Sequence, residues 1–120
     1  MDDSKNWKRA FHDSKPPKGV TIVHSLYRCE SYVPREEDWV FELKLTPEVR
    51  KMILDKHGFK HPESDDAWMI EALKKEQPDW FLPKPMENYE VWIWAIDSCT
   101  FEGAFEDKQS GNFFVAGAQL

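Results

Sequence analysis

The run Tyr89-Glu90-Val91-Trp92-Ile93-Trp94-Ala95-Ile96 is apolar on both faces when read as an extended strand. Successive side chains of a strand alternate sides, so Tyr89, Val91, Ile93 and Ala95 share one face while Trp92, Trp94 and Ile96 share the other. Only Glu90 is polar among these faces, and neither can be left to water cheaply, which is the pattern of a central strand. Two indoles on one face need a large surface to rest on, from the chain's own helices or from another molecule.

With 120 residues the chain is expected to form one domain that buries about two-thirds of its unfolded surface. Six Trp and eight Phe supply a core, and no apolar run approaches the roughly 20 residues of a membrane span. The net charge of -6 is uneven. Residues 1–18 hold five basic residues against three acidic ones, a net +2, which leaves -8 on the remainder. An acidic body repels nucleic acid and anionic membranes, so neither is an expected partner. The opening Met1-Asp2-Asp3-Ser4-Lys5-Asn6 is polar and no apolar signal segment follows it, which leads us to expect a cytoplasmic protein. Two cysteines, Cys29 and Cys99, are too few for a disulfide framework and are expected as reduced thiols in or near the core.

Residues 1–18 read as an arm. Trp7, Ala10 and Phe11 share one face of a short helix that Pro16-Pro17 stops, and so short a helix must dock its aromatics on the body or on a partner to persist, with the body favoured. Residues 19–120 read as a single α+β domain. Strands are expected at 19–27 and 39–45, paired as a hairpin, followed by a helix from Thr46 to about His57. That helix has a capping threonine, Pro47 at its first position, Glu48 at the positive end of its dipole and Gly58 to close it. A second helix is expected from Ser64 to shortly before Pro78, then a rigid Pro-rich connector to Pro85 pinned by Trp80 and Phe81. The strand at 89–96 and a hairpin of 99–106 with 113–120 complete the order ββααβββ. Together these elements predict an α+β two-layer sandwich: a mostly antiparallel five-stranded sheet, two helices packed on one face, and the arm.

Catalytic and metal motifs are weak. His57 and His61 sit four apart near Glu63, Asp65 and Asp66, but Gly58 and Pro62 break any helix that would align them, so a solvated loop is expected. His24 lies on the Val20/Ile22/Leu26 face, five residues before Cys29, with no elbow or oxyanion turn beside either. Glu102 and Glu106 are roughly 13 Å apart along a strand, too far for a direct glycosidase pair unless a cross-strand residue such as Glu90 closes the gap. Five scattered glycines form no phosphate-cradling loop, and no cofactor is expected.

What remains is recognition. The leading expectation is a small acidic interaction protein that acts on a protein partner, or on a second copy of itself, through a Trp-bearing sheet face ringed by carboxylates. Trp92, Trp94 and Glu90 are its candidate residues. The rival is a small-molecule-binding protein or enzyme whose pocket lies between helices and sheet, lined by Trp39, Trp68, Trp80 and Trp92 with His24 as its polar group.

Overall fold

A computed structural model describes residues 3–11, 16–30, 36–56, 58–97 and 99–119. The elements are α1 (Asp3–Phe11), β1 (Val20–Glu30), β2 (Glu36–Leu45), α2 (Pro47–Lys56), α3 (Ala67–Lys74), β3 (Tyr89–Ala95), β4 (Thr100–Asp107) and β5 (Phe113–Gln119). The five strands form one antiparallel sheet in the order β1-β2-β5-β4-β3, so the α+β class and the order ββααβββ agree with expectation.

Two findings depart from the sequence reading. First, α2 and α3 do not share a face. Met69 and Leu73 of α3, with Phe81 of the connector, pack against Val40, Ile93, Phe101, Phe105 and Phe114. Trp7 and Ala10 of α1, with Leu54 of α2 and Phe59, pack against Trp39, Phe41, Trp92, Phe113 and Val115 on the opposite face. The sheet is therefore covered on both sides. Second, β3 is an edge strand. Its two apolar faces report the two covering layers rather than a central position. Its outer backbone is partly satisfied from outside the sheet, where Lys60 and Ile93 exchange hydrogen bonds of 2.9 and 2.7 Å, which blunts the edge.

A register shift between Ile22 and His24 adds a bulge to β1. An extra residue reverses the alternation beyond it. Val20 and Ile22 thus lie with the α1/α2 cluster, whereas Leu26 packs on the α3 side, so His24 does not share a face with Val20 and Ile22. The arm helix docks on β1 and β2. Trp7, Phe11 and Phe41 form an aromatic triangle with centroids 4.5 to 5.6 Å apart, and Asn6 donates a buried 2.9 Å hydrogen bond to Ser25.

Helix α2 follows the expected signals. Thr46 Oγ1 accepts from Val49 N at 3.4 Å, and Gly58 closes the segment at φ +66°, a conformation that costs glycine little. Val49 is buried and Leu54 partly so, while Met52 is exposed. Thr46→Ala is expected to lower stability by about 1 kcal/mol, read as a shift in the urea midpoint, because one orphan helix donor loses its acceptor. An unchanged midpoint would count against the cap. Helix α3 is preceded by a 3₁₀ turn at Ser64–Asp66, where Glu63 N donates to Asp66 Oδ2 at 2.8 Å in a reciprocal capping box.

Candidate binding groove at one end of the sheet

Strand register lines up two rows of side chains at the end of the sheet where β3 finishes and β4 begins. On the α3 face the row is Arg28, Asp38, Ala118, Phe101 and Ala95, one residue from each strand in sheet order. On the opposite face, one residue along, it is Tyr27, Trp39, Gly117, Glu102 and Trp94.

The first row is the floor of a groove. Helix α3 forms one wall, where Ala72 and then Glu76 recur at four-residue spacing from Trp68. The recess holds about 250 Å³ and is lined by Arg28, Glu36, Glu37, Asp38, Ala72, Glu76, Phe101 and Ala118. Among the described residues, four carboxylates and one guanidinium line it. That guanidinium is already committed, because Arg28 donates to Asp38 at 2.9 Å, to the Glu76 carbonyl at 2.8 Å and to Gln77 Oε1 at 3.0 Å. Glu36 and Glu76 add to the acidic character of the groove. Glu76 also holds a left-handed backbone, φ 58°, at the end of a helix where glycine would be unstrained. A strained residue that brings a carboxylate to a recess marks a position where the side chain matters.

Trp68 rests edge-on against the lining residue Phe101, 5.3 Å between centroids, and remains 47% exposed. Ile96, one residue past Ala95, is 68% exposed.

The sequence-level candidates separate accordingly. Trp92 is 8% exposed and belongs to the α1/α2-side core, stacked on Phe113 at 6.2 Å under the Arg50 guanidinium at 5.4 Å. Trp39 is buried in the same layer and Trp94 is half-buried. Trp68 and Trp80 lie on the α3 side, so Trp39, Trp68, Trp80 and Trp92 with His24 do not line one pocket. Glu90 stands directly across from Glu106, whereas Glu102 faces Trp94, so the Glu102–Glu106 gap is not closed, and Arg50 occupies Glu106 with paired hydrogen bonds. That bond holds the Arg50 guanidinium above its ordinary range, and His61 lies 3.6 Å from Glu90. His57 lies outside the described residues, and no group of three or more metal-ligating side chains occurs among those described.

His24 stacks on Trp80 at 5.0 Å, and its Nδ1 lies 2.7 Å from Glu42 Oε1. A carboxylate only accepts, so the proton resides on Nδ1. Asn112 donates to the other Glu42 oxygen at 3.2 Å. This oriented imidazole lines neither the groove nor the shallow recess at Lys74, Gln77, Phe81 and Pro83. Cys29 and Cys99 are exposed rather than near the core and are not bridged. The role of Trp68 and Glu76 as neighbours of Phe101 and Ala118 had no sequence signal beyond their four-residue helical spacing. No family model, characterised protein or solved structure matches this chain.

Proposed function

We propose that the protein is an interaction module that receives a basic segment of a partner protein in the groove between α3 and the sheet end. The observation that carries this reading is the coincidence of an apolar patch of Phe101, Ala118 and Ala72, an excess of carboxylates over the one lining cation among the described residues, which is already bound, and a half-exposed tryptophan packed on Phe101. An acidic rim speeds encounter with a cationic surface, and an indole that keeps a large accessible face is suited to anchor it. The proposed protein-recognition surface is then not centred on Trp92, which is buried in the α1/α2-side cluster. No helix among the described residues is long and apolar enough to cross a membrane. A reducing cytoplasm suits the two exposed thiols.

The test is a titration of the intact protein with Lys/Arg-rich dodecapeptides, with acidic peptides as controls, followed by tryptophan fluorescence at low and high salt. Binding is expected to weaken with salt, and Trp68→Ala or Glu76→Lys is expected to weaken it by about tenfold or more while the fold is retained. Affinity unchanged by both substitutions would remove the groove from the reading. A dimer in sedimentation that Trp68→Ala disperses would instead assign this surface to a second copy of the chain.

A further inference from the structure

The opposite row, Tyr27–Trp39–Gly117–Glu102–Trp94, carries a second and independent feature. Glu102 sits between two indoles: Trp94 is its direct partner on β3, and across Gly117 the indole of Trp39 lies over the space that a side chain at 117 would fill. A Cβ at Gly117 would overlap Cε2, Nε1 and Cζ2 of that ring, so glycine is what allows Trp39 to lean toward Glu102. Asp38, Glu42, Glu106 and Asp107 each have a cationic or hydrogen-bonding partner. The half-buried Glu102 carboxyl has none among the described residues. Close by, the Trp39 indole N–H is more than nine-tenths buried and has no acceptor among the described residues. Buried donors and shielded carboxylates are almost always paired, and here one of each stands unpaired on either side of Gly117 in one row.

We infer that Glu102, Trp94 and Trp39 form a binding site for a small organic cation of the alkylammonium class that also carries a hydrogen-bond acceptor. The carboxylate supplies the counter-charge, and the half-exposed Trp94 supplies the aromatic face that a poorly hydrated ammonium prefers. Burial of the carboxyl strengthens its field at short range because little water screens it. The acceptor of the ligand takes the Trp39 N–H. A hard metal ion is a poorer fit, since it demands several oxygen ligands and this row offers one carboxylate between hydrocarbon surfaces. A quaternary ammonium needs no such shell. The same chemistry could be offered by a free small molecule or by a lysine side chain, and the two are separable by experiment.

The intact protein is titrated with tetramethylammonium chloride, choline chloride, glycine betaine and a short lysine peptide against sodium chloride at matched ionic strength. Indole N–H resonances and tryptophan fluorescence are followed. Saturable binding is expected at millimolar concentrations, with glycine betaine tighter than tetramethylammonium because only it offers a carboxylate to Trp39. Glu102→Gln, which keeps shape and removes charge, is expected to weaken binding by about tenfold while the protein stays folded, and Trp94→Leu is expected to weaken it similarly. Saturation by the lysine peptide alone would assign the site to a partner's side chain and overturn the small-molecule reading. No saturation by any probe up to about 100 mM, or binding unaffected by Glu102→Gln, would overturn the site. Equal affinity for betaine and tetramethylammonium would remove Trp39 from it.

Discussion

Trp92→Ala is expected to abolish folding. The indole lies in the α1/α2-side core, stacked on Phe113, with Arg50 above it and His61 against it at 5.6 Å. Truncating an aromatic at such a site costs about 3 to 5 kcal/mol, from lost transfer energy and the cavity left behind. Domains of this size have only about 5 to 15 kcal/mol in total, so the loss takes a large share of the stability. Arg50 would also lose the surface under its guanidinium while still tied to Glu106. Circular dichroism melts and urea titration provide the measurement, with Trp68→Ala as the comparison. Trp68 is half exposed and makes one edge contact, so its removal is expected to cost about 1 kcal/mol and leave a native spectrum. If Trp92→Ala melted within a few degrees of the parent protein, Trp92 would not be part of the core. That contrast decides whether the proposed association surface can involve Trp92 of β3 or only Trp68 of α3.

Glu102 is expected to make stability fall as pH rises. Burial pushes its carboxyl up to about 7 from the ordinary value of 4.5. The folded state then favours the protonated form. The corresponding stabilisation is fully present below the unfolded value of 4.5 and is lost as pH rises through about 7. A shift of this size corresponds to about 3 kcal/mol, an upper figure for a group that keeps some contact with water. Glu102→Gln removes the titration, so it is expected to be more stable than the parent at pH 8 and close to it at pH 5. The difference between the two proteins isolates Glu102 from His24 and His61. Asp107 works in another window. Lys84, together with the Gln109 and Ser110 backbone N–H groups, holds its carboxylate down to about 2, so that contribution is lost only as pH falls toward that value. Equal melting temperatures for parent and Glu102→Gln at pH 8 would show that the carboxyl is solvated. A carboxylate retained at a cost in stability is also what a binding group looks like in an unliganded protein.

Much of the local structure was legible because its determinants are local. Thr46, Pro47 and Gly58 bound α2 through backbone chemistry that needs no partner from elsewhere in the chain. Asp107 to Asn112 turn because the Asp107 side chain accepts from Gln109 and Ser110 within the same few residues. The alternation of Phe101 and Phe105 against Glu102 and Glu106 assigned β4 its faces, and the register agrees.

The positions of the faces relative to one another were not legible. A strand that is apolar on both sides shows that two layers cover it, yet edge and centre differ only in which backbone groups find partners, and side chains do not encode that. Likewise, hydrophobic stripes on α2 and α3 say that each helix covers something, not which face it covers. One extra residue in β1 moved His24 away from Val20 and Ile22, an effect that alternation counting cannot anticipate. The groove and the Glu102 row depend entirely on register between strands distant in sequence, such as Asp38 beside Ala118 and Trp94 beside Glu102. Thus the chain's own pattern determined its elements and their sequence order, through short-range hydrogen bonding and hydrophobic periodicity. Tertiary packing alone decided which tryptophans are core and which carboxylates stand together, because those outcomes depend on cross-strand neighbours and on the side of the sheet each helix takes.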